Sequence, residues 1–188
     1  MLDEDEKGWI CCHGCDQDEL ESTCIRMQAL RDFSEGLHCT HQLYLLDCCH
    51  AGSFLDGTRA APSKYEIAMI KSPAIYGMTA VTKDQEAIES EGHGIFTKLV
   101  ADGLNGNVDT GDRSYVTATE LFSYVQRGVL EEADRRHREQ IPKFQPLWQM
   151  HKKKSCDGQV LFFKSNGKME GTAAGSPVNA VRNVAKSK

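Results

Sequence analysis

The amino-acid sequence predicts an α/β fold in which helices flank a largely parallel sheet. Two apolar runs, residues 43–46 and 72–81, are typical of buried strands. Around them, residues 23–34, 95–104 and 121–133 carry apolar side chains at helical spacing. Strands that alternate with amphipathic helices indicate the α/β class.

Further elements are predicted by local signals at their ends. Residues 8–12 form a short apolar stretch that fits a first strand. Gly36 stands where the helix that starts near Thr23 should stop, since glycine is common just after a helix. Thr117 and Glu120 have the spacing of a capping box, so a long helix should begin there.

The last predicted strand is residues 158–163, GQVLFF. Residues 164–188 are small, polar and basic, and they are predicted to form a disordered tail. The chain therefore divides into one domain, residues 1–163, and this basic tail.

Composition limits the class of protein. With 188 residues, of which 40% are hydrophobic and 26% charged, the chain suits one globular domain. Its net charge of -5 argues against a nucleic-acid partner. Its acidic start lacks the pattern of a secretory signal, and no apolar run reaches the ~18 residues that span a membrane. We therefore expect a cytoplasmic protein, without membrane attachment, whose cysteines are reduced.

The residues that follow the first apolar run are the candidate reactive groups. Residues 43–53 read LYLLDCCHAGS, so the predicted strand is followed at once by Asp47, Cys48, Cys49 and His50. Ligands of open α/β sheets bind outside the carboxyl ends of the strands, which is where these side chains should lie.

The same segment carries a family resemblance. Residues 47–52, DCCHAG, closely resemble the nucleophile segment of the caspase-like cysteine peptidases, in particular the metacaspases. Residues 83–87, 92–97 and 115–125 resemble the second half of that domain in the same order, and the likeness covers about residues 8–163. The resemblance implies a caspase-like fold that lacks its first strands, and it implies cysteine endopeptidase activity.

Within this resemblance, Cys49 matches the catalytic nucleophile. A thiol ionises only slightly at neutral pH, so it needs a base or a positive environment before it can attack a peptide carbonyl. Asp47 matches the acid that selects arginine or lysine in the substrate, because a carboxylate pairs with a cationic side chain. Cys48 is the variable position, and His50 is a motif neighbour without the role of base. The implied partners are proteins or peptides with basic residues.

The general base departs from the family pattern. The family's histidine precedes the cysteine by roughly 50 residues, and the order of the motifs puts its expected position before Met1. His13, 36 residues ahead of Cys49, is the candidate base within the chain. His93 follows Cys49 by 44 residues and is rejected. A catalytically inactive, caspase-like interaction domain is therefore the alternative function.

A third interpretation is a zinc-binding module at residues Cys11 to Cys15. Cys12 and Cys15 have the CxxC spacing, which lets two thiolates reach one metal ion from a turn. The other ligands would come from Cys24 or from residues 38–41, whose spacings match no zinc pattern that we recognise.

The resemblance also bears on calcium, since many metacaspases are activated by it. Asp56 matches one acidic position that follows the nucleophile. Arg26 and Met27 occupy positions where the family has an acidic pair. The sequence thus predicts no cofactor, with Asp56 as the one calcium candidate.

Overall fold

The structure is a mixed α/β fold of helices and small sheets. The computed structural model describes residues 8–11, 14–16, 18–48, 71–82, 85–90, 92–147, 158–165 and 168–171. Its helices are α1 (Leu20–Thr23), α2 (Met27–Gly36), α3 (Ile95–Asp102), which is followed by a π-helical segment (Gly103–Asn107), and α4 (Ala118–Arg135). Its strands are β1 (Trp9–Ile10), β2 (Ile25–Arg26), β3 (His41–Leu46), β4 (Ala74–Thr79), β5 (Glu89–Ser90), β6 (His93–Gly94), β7 (Tyr115–Thr117), β8 (Lys143–Pro146), β9 (Leu161–Ser165) and β10 (Lys168–Gly171).

The sheet that leads to the candidate site has the strand order β3–β4–β8. β3 runs parallel to β4, from His41 opposite Ala74 to Leu46 opposite Thr79. β8 pairs antiparallel with the other side of β4. All six residues of β4 are buried, which confirms the strand predicted within residues 72–81.

β3 is less buried than its apolar run predicted. It begins at His41, two residues before the predicted run, and Leu45 is 43% exposed. In the described part of the chain, β3 lies at the edge of its sheet with β4 as its neighbour. Leu43, two residues earlier on the same face, packs against the core, so the contact with solvent is local to Leu45 near the end of the strand.

Parallel pairing is limited, among the described strands, to β3 and β4, so the prediction of a largely parallel sheet was too broad. β7, β9 and β10 form an antiparallel sheet, and β1–β2 and β5–β6 are antiparallel ribbons. Connection length accounts for two of these pairs, because two residues separate β5 from β6 and two separate β9 from β10. Parallel neighbours need a crossover of about a dozen residues or more.

The amino-terminal ribbon interrupts the helix predicted from Thr23. α1 ends at that residue, and β2 follows because Ile25 pairs with Ile10 of β1. The predicted helix therefore begins only at Met27, although it ends at Gly36 as predicted.

Helix α4 covers the core side of the sheet. The Oγ1 of Thr117 accepts a hydrogen bond from the Glu120 amide at 3.1 Å, and the Glu120 carboxylate accepts one from the Thr117 amide at 3.0 Å. These two bonds confirm the predicted capping box. Phe122 stacks on Phe144 of β8 at 5.3 Å, and Phe144 stacks on Tyr76 of β4 at 4.8 Å. The buried face of the helix is formed by Ala118, Leu121, Val125, Val129 and Ala133.

None of the helices in the described ranges could cross a bilayer, because none is both long and apolar enough. α4 has 18 residues, and its outward face is charged, for example at Arg127 and Glu131.

One polar side chain lies inside the core beyond the end of α4. Gln140 is 1% exposed. Its Oε1 accepts from the Ile88 amide at 2.8 Å, and its Nε2 donates to the Ala80 carbonyl at 3.0 Å. Both ends of the amide are thus satisfied, which is the condition for burying such a group without a large cost.

The end of the chain differs from the predicted tail. β9 continues to Ser165, and β10 pairs with it antiparallel over Lys168–Gly171. Regular structure thus extends past the predicted boundary at residue 163. Residues 172–188 lie outside the described residues, so the tail prediction stays a prediction there.

Candidate active site

Asp47 lies at the carboxyl edge of the β3–β4 pair. β3 ends at Leu46, and the Leu46 carbonyl accepts a hydrogen bond from the Ala80 amide at 2.9 Å, just beyond the end of β4. The two parallel strands therefore finish side by side. This is the edge of the sheet at which the sequence predicted the reactive groups.

The carboxylate of Asp47 is bound by the first turn of α3. Its Oδ2 atom accepts two hydrogen bonds from Thr97, from the amide at 3.2 Å and from Oγ1 at 2.6 Å. Thr97 is the third residue of α3, and its amide is one of the donors that a helix leaves without an intrahelical acceptor. The amino terminus of a helix is also a favourable place for a negative charge. Asp47 thus caps a helix that begins 48 residues later in the sequence.

Gly94 makes this approach possible. A Cβ atom built on Gly94 would lie 2.0 Å from the Asp47 Oδ2 atom. The residue has φ -64° and ψ 133°, so its backbone would suit other amino acids. The lack of a side chain is therefore required by the carboxylate, not by the backbone conformation.

The other residues of the predicted site are described only in part. Cys48 is half-buried and packs against the hydrophobic core. His93, which was rejected as the base, is exposed in β6. The predicted nucleophile Cys49, the candidate base His13, the motif neighbour His50 and the calcium candidate Asp56 lie outside the described residues, so their roles stay predictions.

Three cysteine thiols meet in the amino-terminal part of the described chain. The Sγ atoms of Cys11, Cys15 and Cys24 all lie within 4.8 Å of one another. Although Cys11 is exposed overall, partial desolvation of its thiol, and then hydrogen bonds with Cys24 and Cys15, raise its pKa to about 12. Burial acts to raise the pKa of Cys24 as well, but its hydrogen bonds, above all the one with Cys11, outweigh burial and lower it. The zinc interpretation expected ligands at residues Cys11 to Cys15, completed by Cys24 or by residues 38–41. Of these two alternatives, the structure brings Cys24 to Cys11 and Cys15; Cys12 lies outside the described residues.

A cavity of about 360 Å³ lies at the opposite end of the β3–β4 pair, where Thr40 and Pro73 precede the two strands. Polar groups beside it satisfy one another. Ser34 donates to Gln42 Oε1 at 2.7 Å, and the Tyr44 hydroxyl donates to the same atom at 2.7 Å. We therefore interpret this cavity as a feature of packing, separate from the predicted active site.

Sequence reasoning missed two residues that position Asp47. Gly94 and Thr97 belong to the segment 92–97 that carries the family resemblance, but neither received a role. The resemblance of segment 92–97 was the one signal in the sequence that these two residues matter. Local spacing could not predict that this segment contacts Asp47.

Comparison with known proteins adds no assignment. No protein-family model matches the chain, and no curated protein is significantly similar to it. The resemblance to the caspase-like peptidases therefore stays a prediction from the motifs at 47–52, 83–87, 92–97 and 115–125 and their order in the sequence.

Proposed function

We propose that the chain is a cysteine-type endopeptidase domain of the caspase and metacaspase class, which cleaves peptide bonds after arginine or lysine. The observation that carries the proposal is the Asp47 carboxylate at the carboxyl end of β3. It is held there by Thr97 and stands two residues before Cys49. A fixed anion next to a cysteine nucleophile suits a substrate with a cationic side chain.

The hydrogen-bonding capacity of Asp47 is compatible with this role. A carboxylate has about four acceptor sites on its two oxygens. The two bonds from Thr97 both go to Oδ2. The two sites of Oδ1 can therefore accept a guanidinium or ammonium group while Oδ2 stays bound to the helix.

The proposed reaction is acyl transfer. The Cys49 thiolate attacks the carbonyl carbon that follows the basic residue, the amine leaves with a proton from the general acid, and water hydrolyses the thioester. His13 is the candidate within the chain for the group that moves these protons. General acid–base catalysis is worth roughly 10²- to 10⁴-fold in rate, so His13→Ala should lower turnover in that range if it has this role.

Covalent labelling tests the nucleophile. A peptide chloromethyl ketone with arginine next to the reactive group should modify Cys49, and intact mass with peptide mapping locates the label. Cys49→Ala should abolish the label, and the matched variant Cys48→Ala should keep it. Label that persists in Cys49→Ala, or lies at another cysteine, would contradict the assignment.

The specificity of Asp47 is tested with two probes. Asp47→Asn keeps the shape and the acceptor for Thr97, so labelling by an arginine probe should slow by about 10- to 100-fold, the worth of a charged hydrogen bond. Labelling by a norleucine probe should not change. Equal slowing of both probes would show that Asp47 is structural. No labelling of folded protein by either probe would favour the inactive interaction domain.

A further inference from the structure

The three thiols of the amino-terminal ribbon form a candidate metal site whose ligands are not among the residues of the proposed peptidase site. We propose that Cys11, Cys15 and Cys24 bind one zinc ion through their three sulfur atoms. Strand register, the loop that joins the ligands and the distances between the sulfur atoms support this site.

Strand register brings the first two ligands together. β1 and β2 pair antiparallel, with Trp9 opposite Arg26 and Ile10 opposite Ile25. The next pair in this register is Cys11 opposite Cys24, and their sulfur atoms lie 3.3 Å apart. Side chains alternate between the two faces of a ribbon, so this pair shares a face with Trp9 and Arg26. The Arg26 guanidinium indeed lies over the Trp9 ring, at 5.4 Å from its centroid.

A closed loop returns the third ligand to this pair. Gly14 has φ +82°, a conformation that suits glycine and turns the chain just before Cys15. Thr23 then joins the two ends of the loop. Its Oγ1 accepts from the Asp16 amide at 3.0 Å and donates to the Glu19 carbonyl at 2.8 Å. Because Asp16 follows Cys15 and Thr23 precedes Cys24, these bonds set the separation of two ligands.

The sulfur triangle is close to the size that zinc requires. Zinc binds thiolates at about 2.3 Å in a tetrahedron, which puts neighbouring sulfur atoms about 3.8 Å apart. The Cys11–Cys24 sulfur distance of 3.3 Å, and the upper bound of 4.8 Å on all three distances, are compatible with this value. Three sulfur ligands favour a thiolate-preferring ion such as zinc over calcium or magnesium, which prefer oxygen. Three ligands leave the fourth position for water, and the exposed Cys11 gives the ion access.

A disulfide between Cys11 and Cys24 is the competing explanation of their short distance. It would account for two of the three sulfur atoms and leave the convergence of Cys15 without a reason. A shared ion accounts for all three. The site also crosslinks a ribbon with two residues in each strand, and such short ribbons are marginal by themselves.

Cobalt titration of the full chain under reducing conditions tests the proposal. Co²⁺ bound by thiolates gives a sulfur-to-metal charge-transfer absorption and intense tetrahedral d–d bands, which report the ligands directly. We expect one Co²⁺ per chain, displaced by one Zn²⁺. The variants Cys11→Ser, Cys15→Ser and Cys24→Ser should each weaken Zn²⁺ binding at least 10-fold and reduce the charge-transfer band.

Two controls test whether metal binding is specific to these three cysteines. Cys39→Ser removes an exposed thiol elsewhere and should bind Zn²⁺ as the parent does. Cys49→Ala should also bind normally, because the proposal is independent of the peptidase nucleophile. Unchanged Zn²⁺ affinity in Cys24→Ser would overturn the proposal. So would failure of the reduced, folded parent to bind Co²⁺, or a Cys11–Cys24 disulfide that persists at full occupancy in reductant.

Discussion

Helices α3 and α4 lie in one core, but their first turns are capped in different ways. α4 is capped by its own residues, since Thr117 and Glu120 exchange hydrogen bonds three positions apart. α3 is capped by Asp47, which stands 50 residues before its partner Thr97. The position that would carry a local cap for α3 is Gly94, which has no side chain to offer.

The difference concerns what each cap depends on. A local capping box stabilises its helix wherever that helix forms. The cap that Asp47 provides for α3, here called the borrowed cap, exists only when β3 and α3 are packed together. It therefore also fixes the end of β3, which leads to the predicted nucleophile. Breaking the two caps should therefore lower the free energy of unfolding by different amounts, and only the loss of the Asp47 cap should also disturb the end of β3.

The largest loss of stability is expected for Gly94→Ala, which disrupts the borrowed cap. The new methyl group would displace the Asp47 carboxylate from both Thr97 donors, because the space is already occupied at 2.0 Å. Because the atoms in the way are the end of the Asp47 side chain, which can move, the cost is mainly that of the lost charged hydrogen bonds, and the free energy of unfolding should fall by about 2 kcal/mol. Urea unfolding followed by circular dichroism measures this loss.

Two comparisons make that experiment specific. Gly36→Ala adds a methyl group that meets no atom within 4 Å, so it should be neutral or slightly stabilising. In an Asp47→Ala background, Gly94→Ala should cost about 1 kcal/mol or less, since the clash is gone. An equal cost in both backgrounds would disprove the link between Gly94 and Asp47.

Thr97→Val should have the next largest effect. Valine keeps the shape of threonine but removes the hydroxyl that donates to Asp47 at 2.6 Å. Because Thr97 is exposed, the lost hydrogen bond to the carboxylate should cost about 1.5 kcal/mol, the low end for a charged hydrogen bond, in the same unfolding assay. Thr119→Val removes an exposed hydroxyl bond to Gln159 and serves as the control, with an expected cost below about 0.5 kcal/mol. If the two variants lose the same stability, Asp47 is not tied to α3.

Thr117→Ala breaks the local cap and should cost about 1 kcal/mol, the usual value for such a residue. The two caps share no hydrogen-bond partner, so the double variant with Thr97→Val should lose the sum of the two costs to within about 0.5 kcal/mol. Urea unfolding of the two single variants and the double variant measures the three losses of stability. A larger departure from additivity would mean that the two helix starts are coupled.

The smallest effect is the pH dependence of the local cap. Burial acts to raise the pKa of Glu120, but hydrogen bonds from Arg113 and Thr117 outweigh it and hold the pKa below its ordinary value of 4.5. The carboxylate therefore stabilises the fold above pH 4.5, and this contribution is lost as the pH falls through the lowered value. The melting-temperature gap between the parent and Glu120→Gln should be largest near pH 7 and shrink on acidification. A melting-temperature gap that widens in acid would contradict a lowered pKa of Glu120.

The contrast between the caps also explains which parts of the structure the sequence could predict. The Thr117 capping box and the apolar run of β4 are patterns within a few residues, and both are confirmed. The pairing of Asp47 with Thr97 depends on how a strand end meets a helix start 50 residues later, which no local pattern encodes.

The thiol site shows the same division. The CxxC spacing at Cys12 and Cys15 predicted a half-site, but the pairing of Cys11 with Cys24 depends on strand register. A slip of one residue would turn one of these side chains to the other face. The predicted fold class was right in its mixture of helices and strands and too broad in its parallel sheet, because the direction of a strand that follows a long connection, such as β8, is not encoded in its local pattern.

The buried Gln140 offers a view of how the core opens. The Ile88 amide is bonded to a side chain 52 residues away, outside any helix or strand ladder. Its hydrogen can exchange with solvent only when the segment beyond α4 withdraws Gln140 from the core. The exchange rate of that one amide therefore measures how often this part of the protein opens. Gln140→Leu would leave the Ile88 amide and the Ala80 carbonyl without this partner, and Ile88 should then exchange much sooner.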